Sequence, residues 1–352
     1  MSEPQSPRDA RPQEGLRKIL RFTRIYGLGR TLFKVAGRLR RADVVGRFAM
    51  RARHRDVAMI GCGQFAFATI GYFLGRRFAG CYDPAAAAAA TFARFYGAVP
   101  AERGEDAIER PDVRIVYIAS NHASHAPYAV AALRAAKTVY VEKPIAVSID
   151  QLRDLLLTQR ATRGRIYAGY NRPHSAAVRR LRAYCSQPRG PLTLSCFISG
   201  HRLAATHWYR HPDEGTRVCG NVGHWLDLAV HLLCWDALPD RWQIKLAWSN
   251  PDARDDDMSI SLTSERGDLI NIVLTARTEP FEGINETINF QWGDVIAKID
   301  DFRRMELWQG ALRKVFKTWP KDVGHRRAIL QPFTLAQRDW HEVELSSLLM
   351  LH

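Results

Sequence analysis

The sequence predicts an α/β protein in two parts: a doubly wound parallel sheet, followed by an α+β domain whose open sheet is mostly antiparallel. Three observations carry that expectation. Residues 56–171 alternate short apolar runs with helical segments, the pattern of a parallel sheet covered on both faces. Residues 172–352 hold strand-like runs joined by turns, with one helix among them. The chain has 352 residues, above the ~250–300 at which a single core splits.

In the first part, strands are expected over 57–60, 78–82, 115–119 and 138–141, with a further one over 165–169. Helices are expected over 64–74, 84–96, 125–136 and 150–160. In the second, strands are expected over 192–199, 242–249, 259–263, 269–275, 286–290 and 295–299, and one helix over 221–233. Ser-Glu-Arg-Gly-Asp at 264–268 and Gln-Trp-Gly-Asp at 291–294 supply hairpin turns. One face of such an open sheet needs a cover, and a second copy of the chain, making a homo-oligomer, is the expected one.

Composition is that of a folded protein, with 46% hydrophobic and 25% charged residues. The net charge of +15 is unevenly placed: residues 1–55 carry fifteen Lys or Arg against four acids, a net of +11, leaving +4 for the rest. Residues 1–14 are expected to be a disordered tail and 15–55 a basic amphipathic arm, broken near Gly27-Leu28-Gly29. The arm can pack on the body or another subunit, or residues 16–55 can dock on an anionic membrane surface or an acidic protein. Nucleic acid is not expected, because no aromatic platform or helix-turn-helix accompanies the basic residues. Six scattered cysteines and an opening stretch without an apolar signal core point to the cytoplasm, with the inner face of the membrane as the arm's possible docking place.

Asp56-Val-Ala-Met-Ile-Gly61-Cys-Gly63-Gln64-Phe65-Ala66 is a strand running into G-x-G-x-x-A at the start of a helix. The first glycine allows a tight turn and the second lets backbone approach a pyrophosphate. The small third residue lets helix pack on strand, with Gln64 and Phe65 opening the anion-attracting helix. Asp83 ends the next strand, twenty residues beyond Gly63, where an acid binds the adenosine ribose. A carboxylate there repels a 2′-phosphate and Pro84 follows it, so NAD is favoured over NADP, with Arg76 and Arg77 the residues that could offset it.

Further along come Ser120-Asn121-His122-Ala-Ser-His125, Glu142-Lys143-Pro144, Gly169-Tyr-Asn171-Arg172 and Asp227-x-x-x-His231. In this order and spacing, over about residues 56–300, they resemble the glucose–fructose oxidoreductase/inositol dehydrogenase (Gfo/Idh/MocA) family, of which Glu-Lys-Pro is the most specific element. With the arm, the chain looks like a subgroup found in bacterial polysaccharide biosynthesis. The resemblance implies a Rossmann domain over 56–171, a substrate-binding and oligomerisation domain over 172–352, and oxidation or reduction at a hydroxyl carbon of a sugar, cyclitol or sugar nucleotide. It implies that Ser120, Asn121 and His125 line the nicotinamide side, that Glu142 and Lys143 lie beside the nicotinamide, and that Asp227 and His231 face the substrate. Asn171 joins the expected cofactor-binding residues.

Hydride transfer from a carbinol needs a base for the hydroxyl proton and a cation for the developing oxygen charge. Histidine and Lys143 suit those tasks. His224, Asp227 and His231 share one helix face; His231 is the expected base, with Asp227 orienting it, and His224 is the runner-up or a substrate ligand. The same three side chains could instead form a buried structural network; no metal is expected. Arg172, Trp208, Tyr209 and Arg210 are the candidate substrate contacts, since indole stacks on sugar faces and arginine binds acidic groups, although 207–211 could equally be a surface loop. Asp252–Asp257 reads as a solvated loop. Competing functions are a lyase or glycosidase using transient oxidation and a non-catalytic NAD sensor.

Overall fold

The structure, a computed structural model, describes residues 12–39, 54–185, 190–278, 280–281, 283–334 and 338–352. The tail expected over 1–14 falls outside this set as far as residue 11, and the arm does over 40–53. Helices α1 (Pro12–Tyr26) and α2 (Leu28–Leu39) precede β1 (Val57–Ile60). After β1 the chain makes a π turn (Ala66–Ile70), α3 (Gly71–Leu74), β2 (Phe78–Tyr82), α4 (Ala86–Tyr96), β3 (Val99–Pro100), α5 (Gly104–Glu109) and β4 (Ile115–Ile118). Then come α6 (His125–Arg134), β5 (Thr138–Val141), α7 (Ile149–Thr162) and β6 (Ile166–Ala168). These six strands form one sheet, ordered β3-β2-β1-β4-β5-β6, with every pairing parallel. The order reverses beside β1, between β1 and β4, and there the strand ends open a ligand crevice.

Alternation along β1 divides the core. Ala58 and Ile60 face a cluster shared with the second sheet's helix, whereas Val57 and Met59 face an aromatic cluster with Phe67, Phe78, Phe92 and Tyr117. Ala36 of α2 is buried in that second cluster and Phe33 packs on it. The arm, over 12–39, thus packs on the body. Gln64 Nε2 donates to Lys34 O (3.0 Å) and Arg30 to Thr69 Oγ1 (3.3 Å). Trp319 Nε1–H and Lys321 N–H donate to Arg24 O and Ile25 O (2.8 and 2.9 Å), pairing carbonyls that the C-terminal turn of α1 leaves open. Leu16, Ile19 and Leu20 remain exposed on α1.

The second part adds α8 (Ala176–Tyr184), β7 (Leu192–Ser199), α9 (Gly223–Leu233), β8 (Trp242–Trp248), β9 (Met258–Ser264) and β10 (Leu269–Thr275). It continues with β11 (Asn285–Trp292), β12 (Val295–Asp300), β13 (Arg304–Gln309), β14 (Leu312–Lys317), α10 (His325–Ile329) and α11 (Trp340–Leu351). The eight strands run β14-β13-β12-β11-β7-β10-β9-β8 and are antiparallel except for β7 with β10. Leu192, Leu194, Cys196 and Ile198 point to the core, while Phe197, Ile296 and Val315 stand on the exposed face. Strands β13 and β14 were not expected: Arg-Met-Glu-Leu-Trp-Gln and Leu-Arg-Lys-Val-Phe-Lys carry their charges at an edge, where solvent tolerates them. The chain then returns to the first sheet. Tyr117 Oη donates to Ile329 O (2.5 Å) and Gln331 Nε2 to Ala168 O (3.2 Å). The six cysteines are thiols, all buried except the half-buried Cys234.

Candidate active site

The glycine turn closes the end of β1 against β4. Gly61 has φ +86°, and a Cβ there would sit 2.5 Å from Ala119 O and Ser120 N, so only glycine fits. A Cβ on Gly63 would meet nothing within 4 Å, which leaves backbone open to a ligand at the start of the helix. Asp83 Oδ2 accepts from Cys62 N (2.7 Å) and Oδ1 from Ala85 N (2.8 Å), which aims the carboxylate beside that turn. The side chain of Gln64 turns to the arm, and Phe65 packs on His325 with ring centroids 5.7 Å apart. An open glycine turn, a helix start and an oriented acid suit a dinucleotide's pyrophosphate and ribose.

The loop after β4 is held by its surroundings. Glu214 accepts from Asn121 Nδ2 (2.7 Å) and Ala123 N (3.2 Å), and its carbonyl meets His122 Nδ1 (3.1 Å). Ser120 Oγ lies 2.6 Å from Ser124 Oγ. His125 is buried between Pro144 O (2.8 Å) and Ser120 O (3.2 Å). Burial lowers its pKa to about 4 despite those carbonyls. His125, neutral and with one N–H to donate, therefore lies between this loop and the Glu-Lys-Pro turn, donating to one of the two carbonyls.

In that turn, burial pushes Glu142 up to about 7, against the pull of Lys143 and of the Tyr140 hydroxyl, which donates to Oε1 at 2.8 Å. Gly169 makes room for this carboxylate, since a Cβ there would lie 2.6 Å from it. Lys143 Nζ crosses to the second part and donates to Gly220 O at 2.6 Å. Gly220 is also where Tyr209 and His122 meet, with both rings about 3 Å from the position of a Cβ. An ammonium has three donors, so Lys143 keeps two for a ligand oxygen.

The three residues of the α9 face part company. His224 is the one near Lys143. Its Nδ1 is buried with no hydrogen-bond partner among the described residues, as are His325 Nδ1 and Asn221 Oδ1. Desolvation, reinforced by Arg172, Lys143 and His325, holds the His224 pKa well below the usual imidazole range. Its imidazole is thus held neutral. The expected base, His231, is spent elsewhere: Nδ1 lies 2.9 Å from Glu342 Oε2 and Nε2 accepts from Trp235 at 3.3 Å. Asp227 is fully buried and receives Arg338 Nη1 on both oxygens (2.8 and 2.7 Å) and Ser346 Oγ (3.0 Å). The Asp227-x-x-x-His231 pair thus ties α9 to α11, the buried network the sequence also allowed.

Two more expectations change. Arg172 is buried in an ion pair with Glu286 (3.1 Å), lies over the Trp225 ring and donates to Asn171 Oδ1 (3.0 Å). Asn171 Nδ2 donates to Val323 O (2.7 Å). Both are buried and hold the strand end in place through these contacts. Arg210 binds Asp256 (2.7 Å), as does Arg217 (2.7 Å), so Asp252–Asp257 anchors the 203–217 segment and is not merely solvated. Trp208 and Tyr209 do reach the site, with ring centroids 4.8 and 4.6 Å from His122. A cavity of about 450 Å³ bordered by Tyr209, Arg217 and Cys219 lies behind that segment. His325, Glu214 and Asn221 escaped sequence reasoning because they belong to no local motif and meet the site only through tertiary folding.

The fold and this crevice define a dinucleotide-binding protein. Residues 55–170 match the profile described as "Oxidoreductase family, NAD-binding Rossmann fold". That profile is the one of the Gfo/Idh/MocA oxidoreductases, and it covers the first of the two parts, about a third of the chain. An inositol 2-dehydrogenase of Ralstonia nicotianae is 30% identical over 138 residues, and the match spans 38% of each chain. Among solved structures, the UDP-N-acetylglucosamine 3-dehydrogenase of Acidithiobacillus ferrooxidans superposes with a TM-score of 0.69 at 16% identity, covering 85% of this chain and 96% of that one. Biliverdin reductase from Synechocystis, complexed with biliverdin and NADP+, superposes with 0.66 at 15% identity, covering 84% and 97%. These structural likenesses show the fold.

Proposed function

We propose that the chain is an NAD-dependent oxidoreductase that moves a hydride between the nicotinamide and a hydroxyl-bearing carbon of a sugar, cyclitol or sugar nucleotide. One observation carries the reading: Lys143, at the carboxyl end of the parallel sheet, reaches Gly220 O about one helical turn before His224, whose buried Nδ1 has no hydrogen-bond partner among the described residues and whose pKa Lys143 helps to lower. Bound there, NAD would supply the hydride acceptor. Gly61, Gly63 and the backbone of Gln64 and Phe65 would hold its pyrophosphate, Asp83 its ribose, and the 120–125 loop would border the nicotinamide. Lys143 would donate to the substrate oxygen and stabilise negative charge as it develops. His224, kept neutral by its surroundings, would take the hydroxyl proton. Trp208 and Tyr209 would offer apolar faces to the ring carbons.

NAD is preferred over NADP because Asp83 would repel a 2′-phosphate and the offsetting arginines lie at the wrong end of β2. Arg77 pairs with Asp56 (2.9 Å) just before this five-residue strand, about 20 Å along the chain from Asp83. The match to residues 55–170 and the curated relatives' names support the class of reaction; the substrate is inferred from site chemistry. Phe197, Ile296 and Val315, exposed on one face of the open sheet, support association of two copies through it.

The test is steady-state NADH formation with a panel of polyols and sugar nucleotides, alongside calorimetric NAD binding. Lys143→Ala and His224→Asn are expected to lower kcat about 10²–10⁴-fold with NAD affinity little changed. His231→Asn should retain activity within about tenfold. Full activity in His224→Asn, or loss confined to His231→Asn, would return the base to His231.

A further inference from the structure

Helix α2 of the arm lies against the start of the helix that follows the glycine turn. Gln64, the residue after Gly63, donates from Nε2 to Lys34 O (3.0 Å). A Cβ on Gly37 would stand 2.8 Å from Gln64 Oε1 and 3.0 Å from the Phe67 ring, so a larger residue would push both aside. We propose that α2 is part of the cofactor site, with Lys34 and Gly37 as positioning residues for the backbone that receives the pyrophosphate. The proposal rests on the dinucleotide reading above and adds that arm docking and NAD binding favour each other.

The contact continues along the same helix. Ala36 is buried in one cluster with Ala66, Phe67 and Ile70, and Arg30 donates to Thr69 Oγ1 (3.3 Å). Phe33 meets Tyr72 and Phe95 edge-on, with ring centroids 5.0 and 5.7 Å apart. Phe67 O accepts from Tyr96 Oη (2.5 Å) within the π turn over Ala66–Ile70. Such turns interrupt the regular helical ladder, so packed neighbours set the direction of this helix start. Helix α2 is itself clamped: Lys34 Nζ lies 3.8 Å from the centre of the Phe22 ring of α1. Trp319 and Lys321 in turn hold the end of α1.

Phe67 N–H bonds Gly63 O (2.9 Å), which places Gln64 and Phe65 ahead of the helical ladder. Their N–H groups are those a helix leaves for an anion. Tying the Gln64 side chain to α2 directs these donors before the ligand arrives and lowers the ordering cost of binding. Linkage makes the effect mutual: the factor that docking adds to NAD affinity is the factor that NAD adds to docking.

The test follows amide hydrogen exchange of the full-length protein over residues 28–39, with and without saturating NAD. Exchange there is expected to slow about three- to tenfold, the fold-change of one ordering hydrogen bond. By calorimetry, Gln64→Ala should bind NAD about three- to tenfold more weakly, and in it NAD should no longer slow exchange over α2. Gly37→Leu, which forces α2 away without touching the turn, should weaken NAD by a similar factor. The double variant should lose no more than either single one, because both act through one contact. Should Gly37→Leu fail to fold, Gln64→Ala and the wild-type exchange still decide. Unchanged NAD affinity in Gln64→Ala, exchange over α2 that NAD leaves unaltered, or additive losses in the double variant would overturn the proposal. Failure of the wild-type protein to bind NAD would instead overturn the dinucleotide reading.

Discussion

Replacing Arg338 with glutamine removes the cation from a buried set in which Asp227 and Glu342 are the carboxylates. Arg338 reaches both oxygens of Asp227 and also pairs with Glu342, and its side chain is 6% exposed. Burial would push Glu342 up, but the hydrogen bond from His231 and the charge of Arg338 pull harder and hold it at about 2, against the usual 4.5. Each pH step of one in such a displacement is worth about 1.4 kcal/mol, so Glu342 carries about 3 kcal/mol at neutral pH. That agrees with the ~3–5 kcal/mol lost when one partner of a buried pair is deleted. The sign follows from the lowered folded-state pKa: the contribution is complete above the unfolded value and is lost as pH falls from about 4.5 towards 2. Thermal melts followed by circular dichroism should therefore show Arg338→Gln lower by about 5–10 °C at pH 7, with the gap narrowing as pH falls below 4.5. Equal melting temperatures at pH 7, or a gap that widens on acidification, would refute the network.

Gly61→Ala should cost about 1–3 kcal/mol, from the positive φ and the 2.5 Å approach to Ala119 O, and should weaken NAD binding in calorimetry; an unchanged affinity would mean the turn is not where the pyrophosphate rests. Asp83→Ser removes the carboxylate that faces the ribose, so the ratio of NADP to NAD affinity should rise about tenfold or more, and competition binding with both dinucleotides measures it. Phe197→Asp places a charge on the open sheet's exposed face, and sedimentation should show smaller species with an unaltered melting profile at low concentration. Persistence of the wild-type size would exclude that face as the contact.

Most of the first sheet was legible in the sequence. Its strands are buried on both faces, so they read as short apolar runs, and the glycine turn and Glu142-Lys143-Pro144 announce themselves locally. Edge elements were not: β3 has only two residues, Val99 and Pro100, and β13 and β14 mix charge with aromatics. The N-terminal arm was recognisable as helical, but whether it packs on the body or docks elsewhere depended on residues as distant as Trp319 and Lys321. Its apolar positions alone do not name their partner.

The same limit governs the active site. Local spacing placed His224, Asp227 and His231 on one face of a helix, because helical periodicity is a property of neighbours. Which end of that helix meets Lys143, and which end meets Arg338 and Glu342 more than a hundred residues away, is a matter of how α9 sits between the parallel sheet and α11. Sequence by itself determined that this chain builds a dinucleotide crevice with a lysine at its rim. Tertiary structure decided which histidine stands beside that lysine, since burial and a distant cation act through space and leave no local pattern to read.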